Sequence, residues 1–320
     1  MRRLEAALTG PERVTLQDVD ALNRLFSDAF TDRYHRDGLT GVRVPFLSRD
    51  VWRFAIEDAG EGAMLWRDPD GQLAAFNLAH LSGTEGWMGP LAVRPSLQGL
   101  GVGRRIVLAA IEWLHRRGAT VIGLETMPRT AENIGFYGSL GFLPGRLTVT
   151  MLADLAVVDR RTAGELFSQA RAERDARLAE LSALSCRLAP GVDYRREILL
   201  TDDLGVGETT LVRIEGRLVG FGVWHRVSLA LGRPADEVRA LKIVAEDVDA
   251  FRLVLAAIAT EARQGAGPTR LALRCQTAYP EVYAALLATG FRVQWTDLRM
   301  LLGGGPERAV EGIVMSNWEI

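Results

Sequence analysis

The chain contains a diverged second copy of part of itself, and a repeat of this length restricts the fold to arrangements that use one unit twice. TVIGLETMPRTAENIGFYGSLGF, residues 120–142, lies over TRLALRCQTAYPEVYAALLATGF, residues 269–291, without a gap at a constant offset of 149. Gly141-Phe142 falls on Gly290-Phe291, and VLAAI at 107–111 recurs at 254–258 with a shift of two. The 320 residues leave room for two domains of ordinary size. With 48% hydrophobic and 24% charged residues, each has enough apolar surface for a core.

Local patterns give the first copy a mixed α/β fold, an α+β unit built on a mixed sheet. LQDVDALNRLFSDAF, 16–30, has helical spacing of Val19, Leu22, Leu25, Phe26 and Phe30. GAMLWRDPDGQLAAFNLAHL reads as two strands around an Asp70-Gly71 turn. GWMGPLAV is strand-like, RRIVLAAIEWLHRRG a helix capped by Gly118, TVIGLE a buried strand, TAENIGFYGSL a helix and LTVTML a closing strand. The residues at 159–188, rich in Ala, Arg, Glu and Leu, predict one long amphipathic helix. The expected division is therefore 1–155, a linker helix within 156–192, and a second domain over 193–320, whose tail GIVMSNWEI is strand-like with Trp318 as an anchor for a sheet edge.

A net charge of −2 gives no global attraction to nucleic acid or an anionic membrane. No run approaches a membrane span, and the N-terminus has no apolar leader core, so the expected compartment is cytoplasmic. Cys186 and Cys275 fit no metal spacing; they read as reduced thiols, and no metal is expected.

The stretch with the clearest chemistry is QGLGVGRR, 98–105, between GWMGPLAV and the helix. Alternating glycines at a strand-to-helix turn leave bare N–H groups to close around an anion, typically a phosphate. A dinucleotide fold gains from Glu125, about twenty residues on, where a ribose-binding acid sits. It loses on packing, since Val102, Arg104 and Ile106 stand where a small residue is needed. A P-loop fails because no Lys-Ser/Thr pair follows.

The loop resembles the pyrophosphate loop of the GNAT (GCN5-related) acetyltransferases, Q/R-x-x-G-x-G/A, with Gln98, Gly99, Leu100, Gly101, Val102 and Gly103 matching it throughout. PLAVRP before it and NIGFYGSLGF after it are similar to the family's setting, and the resemblance spans about 14–153. It implies a tandem of two GNAT-like acyl-CoA N-acyltransferase domains, the first using acetyl-CoA as cosubstrate. The main chain of Leu91, Ala92 and Val93 would pair with the pantetheine arm, the loop N–H groups would hold the pyrophosphate, and Arg104 and Arg105 would add positive charge. Many members carry an asparagine at the position of Thr130; Asn133, one turn on, would substitute.

Tyr137 matches the family's general acid, which protonates the departing coenzyme thiolate; packing beside Phe136 is the alternative role. The strand GWMGPLAV lacks the glutamate that many members place there, so Glu125 is the first candidate for a base, with His80 and Glu85 acting through a water as others. Glu125 could equally pair with an arginine. The implied reaction moves an acetyl group directly to a primary amine of a small molecule or peptide; the alternative is a non-catalytic acyl-CoA-binding or sensing module. Across the repeat, Tyr137 becomes Leu286, Glu125 becomes Arg274, and the glycine loop becomes AEDVDAFR, with Glu246, Asp247 and Asp249 where a phosphate would bind. The second copy is therefore expected to lack coenzyme and to shape the acceptor pocket, support the first domain or form a homodimer.

Overall fold

A computed structural model describes residues 8–159, 162–169, 171–264, 267–304 and 310–318. The first series of elements is β1 (Thr9–Arg13), α1 (Val19–Arg36), α2 (Arg49–Ala59), β2 (Ala63–Arg67), β3 (Leu73–Ser82), β4 (Glu85–Val93), α3 (Val102–Arg116), β5 (Val121–Thr126), α4 (Ala131–Gly138) and β6 (Phe142–Asp154). The second repeats it in order: β7 (Glu165–Leu166), α5 (Arg174–Leu188), α6 (Arg195–Asp203), β8 (Gly207–Ile214), β9 (Arg217–His225), β10 (Glu237–Ala245), α7 (Val248–Ala262), β11 (Arg270–Gln276), α8 (Pro280–Thr289) and β12 (Arg292–Leu302), followed by β13 (Ile313–Ser316).

The segment expected as a linker helix differs. Of its described residues, Glu165–Leu166 pair with β8 as an edge strand, Phe167–Gln169 and Arg171–Glu173 form 3-10 turns, and only Arg174–Leu188 is α-helical. The physical reason is Phe167, which is 1% exposed in a cluster with Leu181, Leu184 and Tyr194; a straight helix could not bring it there. The segment supplies the opening strand and helix of the second series.

Helix-forming patterns explain most of the rest. α1 buries Val19, Leu22 and Leu25 on one face, and α2 starts where the Ser48 hydroxyl accepts the Val51 N–H at 3.3 Å. The α1 and α2 layer covers one face of β2 to β4 through Trp52, Leu65, Phe76 and Leu78. α3 covers the other through Ile106, Val107, Ala110 and Leu114. α7 occupies the corresponding place in the second half with Phe251, Val254 and Ile258. Among the described residues no helix is long and apolar enough to cross a membrane.

Thirteen strands among the described residues form one mixed sheet, ordered β1-β2-β3-β4-β5-β12-β6-β11-β10-β9-β8-β7, with β13 on β10. The last strand of each series lies against the other: β12 pairs with β5, and β6 pairs with β11. The registers obey the repeat. Shifting each partner by 149 residues exchanges Leu298↔Thr126 with Val149↔Cys275 and returns Asp297↔Thr148 to itself. An approximate twofold axis thus passes through the Asp297–Thr148 pair. The hairpins agree: Ala79↔Met88 corresponds to Trp224↔Ala240, which makes His80 and His225 counterparts.

Candidate coenzyme and acyl-transfer site

β4 and β5 run parallel only from Glu85↔Val121 to Met88↔Leu124. Beyond Met88 the register of β4 on β3 slips at a bulge, and Leu91, Ala92 and Val93 continue to pair with β3 while their other edge leaves β5. The parting strands form a cleft whose wall is main chain, which explains why the side chains there are plain.

The glycine turn closes one end of this cleft. Gly99 and Gly101 have φ of +75° and +86°, a left-handed geometry that other residues adopt only with strain. Gly101 is the N-cap of α3. Among the described residues no backbone N–H from Gly99 to Arg104 donates to a main-chain carbonyl, so the first donors of α3 and those of the turn are open to an anion. Gln98 braces the turn by donating Nε2–H to the Val93 carbonyl at 3.1 Å. A β-carbon on Gly103 would stand 3.2 Å from the Phe136 ring, so glycine there lets α3 and α4 approach. Arg104 is exposed, whereas Arg105 donates to the Leu8 and Gly10 carbonyls at 3.2 and 3.4 Å.

Tyr137 on α4 is 7% exposed and shares a core cluster with Met88, Val93 and Val102, residues of the cleft wall and loop. Its ring meets Phe142 edge-on at 6.0 Å, and burial pushes the phenol well above its ordinary value, so it stays protonated at physiological pH. No hydrogen bond from its hydroxyl is present among the described residues. Asn133 turns toward β5 and donates to the Thr126 hydroxyl at 3.3 Å, while the Thr130 hydroxyl donates to Asp37 at 2.6 Å.

Glu125 is in another setting. Its carboxylate is fully buried and accepts from Arg274 Nη2 at 2.6 Å, Arg299 Nε at 2.8 Å and the Thr148 hydroxyl. Burial alone would raise its pKa, but the two guanidiniums and the hydroxyl more than offset this and hold it below the usual carboxylate range. A carboxylate so enclosed has little basicity left for an incoming amine, so the expectation of a base gives way to the pairing alternative. Arg274 also contacts Asp297 at 2.9 Å, and the Arg299 guanidinium stacks on Trp318 at 3.9 Å.

His80 is 1% exposed, hydrogen-bonded through Nδ1 to Asp58 at 2.6 Å and stacked on Trp87 at 3.9 Å. It borders a separate cavity of about 20 Å³, room for roughly one water, with Glu197 and Lys242. Glu85 Oε1 accepts from Ser316 at 3.1 Å and from the Trp318 indole at 2.9 Å, so it too has structural partners.

A family model described as "Acetyltransferase (GNAT) family" matches residues 19–142, which enclose the cleft, the turn and Tyr137. These residues belong to the GNAT acetyltransferase family. The chain is 34% identical over 73 residues to the [ribosomal protein bS18]-alanine N-acetyltransferase of Escherichia coli (strain K12), covering 23% of this chain and 49% of that protein. It therefore spans about half the length of the curated relatives it matches. For fold alone, a putative acetyltransferase from Pyrococcus horikoshii superposes with a TM-score of 0.66 at 16% identity, over 98% of this chain and 95% of that one. A tandem GNAT protein from the clavulanic acid biosynthesis pathway gives 0.61 at 15%, over 94% and 99%. GNAT enzymes use acyl-CoA.

Beside this candidate site, the second half keeps the strand geometry but fills it. β10 and β11 are parallel from Glu237↔Arg270 to Ala240↔Leu273 and then part at a bulge, as β4 and β5 do. Ile243, Val244 and Ala245 thus stand where Leu91, Ala92 and Val93 stand, and they pair with Met315, Val314 and Ile313 of β13. The tail expected to pair with a sheet edge does so on the edge of β10 inside the splay, held by Tyr279, whose hydroxyl bonds both the N–H and the carbonyl of Val314 at 3.1 Å. Trp318 is 1% exposed, as suits an anchor; Glu319 and Ile320 lie outside the described residues. At the former glycine turn, Asp247 caps α7 by accepting the Ala250 N–H at 2.8 Å, and Glu246 pairs with Arg187 and Arg217.

The sequence had no signal for Trp295, Asp297 and Arg299, which β12 brings beside the end of β5. Trp295 faces Tyr34 of α1 at 6.0 Å and donates its indole N–H to Asp297 at 3.3 Å.

Proposed function

We propose that the first half, residues 1–155, is an N-acetyltransferase that moves an acetyl group from acetyl-CoA directly to a primary amine of a small molecule or peptide. The reading is carried by one observation: the unpaired edge of Leu91 to Val93 leads directly into a turn whose N–H groups are open at the start of α3. The arm would lie along that edge, and the pyrophosphate on the turn with Gln98 to Gly103 and Arg104 around it. Asn133 would support the cleft from α4.

In the reaction the unprotonated amine nitrogen attacks the thioester carbonyl, the nitrogen of the tetrahedral adduct gives up a proton to water, the adduct collapses with cleavage of the C–S bond, and the departing thiolate needs a proton. Tyr137 is the group proposed to supply it: a buried phenol that remains protonated and has no hydrogen-bond partner among the described residues keeps its proton for the sulfur. Glu125 is left out of this chemistry.

The relative's action on a ribosomal protein alanine supports a peptide α-amine among the acceptors to be tried. We take the second half to bind no coenzyme, because β13 covers the edge the arm would need and Asp247 caps the helix the pyrophosphate would need. Calorimetric titration of acetyl-CoA into the full chain should show saturable binding at one site per chain. Turnover on a panel of amines, with Tyr137→Phe as control, then separates an enzyme from a binding module. Absence of binding would refute the whole reading, and two sites per chain would refute the claim about the second half.

A further inference from the structure

β13 covers the strand edge of the second half without filling the space beside it. A cavity of about 270 Å³ remains there, walled by Glu85, Arg146, Gln276, Tyr279, Ser316 and Trp318 among others. Through the 149-residue offset, Gln276, Tyr279 and Arg146 are the counterparts of Met127, Thr130 and Trp295. In the first half Thr130 and Trp295 border the space by the end of α1, through Asp37 and Tyr34. The cavity is thus the second half's version of that space, with Gln276 in place of Met127 and Arg146 in place of Trp295.

Three of those groups are equipped for a ligand. Gln276 donates Nε2–H to the carbonyls of Arg274 and Ser316, both at 3.2 Å, which fixes its amide and leaves Oε1 buried without a donor among the described residues. A ligand N–H reaching this oxygen would supply the donor that the buried acceptor lacks. Glu85 carries negative charge into the wall, with Oε1 already accepting from Ser316 and Trp318. Arg146 borders the cavity as an exposed guanidinium with no ion pair among the described residues, whereas Arg299, which also borders it, is taken up by Glu125 and the Ser316 carbonyl.

We infer that this cavity is a binding site for a small zwitterion of the α-amino-acid class. The ammonium donates to Gln276 Oε1 beside the Glu85 carboxylate, and the carboxylate is received by Arg146. The site binds without chemistry, because Leu286 stands at the counterpart of Tyr137 and the strand edge is occupied. It requires no coenzyme, so the inference stands apart from the proposed transferase activity.

The test is calorimetry on the full chain without coenzyme, titrating each proteinogenic L-amino acid singly, with butylamine and butyrate as probes carrying one charge each. The expected result is one site per chain for at least one amino acid and at least tenfold weaker binding of both probes. Arg146→Ala and Gln276→Met should each weaken the amino acid at least tenfold while acetyl-CoA titration stays within twofold of the unaltered chain. If Gln276→Met fails to fold, the exposed Arg146→Ala decides alone. No amino-acid binding, or binding that Arg146→Ala leaves unchanged, overturns the inference.

Discussion

Replacing Glu125 with glutamine separates a structural carboxylate from a catalytic one, because the two roles predict opposite readouts. The substitution keeps the shape but removes the charge that faces Arg274 at 2.6 Å and Arg299 at 2.8 Å. Removing one partner from a buried ion pair typically costs about 3–5 kcal/mol, since the remaining charge is left uncompensated. Arg274 retains Asp297 at 2.9 Å, whose own carboxyl is raised by burial and by the neighbouring Glu125 charge, so some repulsion is relieved. The lower end, about 3 kcal/mol, is therefore expected in urea denaturation at pH 7. The Glu125 carboxyl titrates below its unfolded value, so its contribution is full above about pH 4.3 and is lost as pH falls through the folded value. The deficit of the variant should accordingly shrink under acid conditions. At temperatures where the variant stays folded, kcat for acetyl transfer should remain within about threefold, whereas loss of a general base costs about 10²–10⁴. A stability change below 1 kcal/mol together with a hundredfold fall in kcat would refute this reasoning.

Other substitutions test the remaining parts. Gly101→Glu puts a side chain at a φ of +86° and a negative charge on the proposed anion site, so acetyl-CoA affinity measured by calorimetry should fall at least about 100-fold, or about 2.7 kcal/mol. Tyr137→Phe should reduce kcat by about 10²–10⁴ with the acetyl-CoA Kd unchanged; equal kcat would leave Tyr137 a packing residue. Glu197 is pushed up to about 8 by burial and the Asp58 charge, against the opposing pull of Lys242 and Ser82. Its protonated form is favoured by the fold, so its contribution is complete below the unfolded value and is lost as pH rises through about 8. Melting curves of Glu197→Gln should therefore gain on the unaltered chain between pH 5 and 9, and a constant difference would contradict the shift. Trp318→Ala removes a buried indole that donates to Glu85 and lies under Arg299, with an expected loss of about 3–5 kcal/mol in urea denaturation.

The glycine turn, the Asp70-Gly71 hairpin and the Gly-Phe corners were legible because each depends on a local conformation that few residues allow. Strand exchange was not, since β6 and β12 are equivalent by the repeat and sequence spacing says nothing of which parallel strand each one joins. α2 was missed between two stretches with stronger patterns, although Ser48 supplies a serviceable N-cap. The case of Glu125 is instructive. Its alignment with Arg274 reads as a lost carboxylate in the second copy, yet near a twofold axis equivalent positions are neighbours, and opposite charges at such positions form a pair. That signal was present in the alignment and becomes readable only once an axis is known to pass there.

The same axis explains why the second half accompanies the first even where its own glycines and tyrosine are missing. Without β12 the edge of β5 would lie unpaired beside the proposed coenzyme cleft, and without the second half Glu125 would lose Arg274 and Arg299 together. β12 also sets Trp295 against Tyr34 of α1 and Asp297 against Arg274, so the surroundings of α1 and of the end of β5 come in part from the second half. The tail extends this dependence. β13 completes β10, and Trp318 then crosses to Glu85 at the start of β4 and to the ring of contacts around Gly123, where any β-carbon would collide with the indole. Filling the second cleft with the chain's own strand thus satisfies an otherwise open sheet edge and fixes the parallel pair from which the first cleft opens.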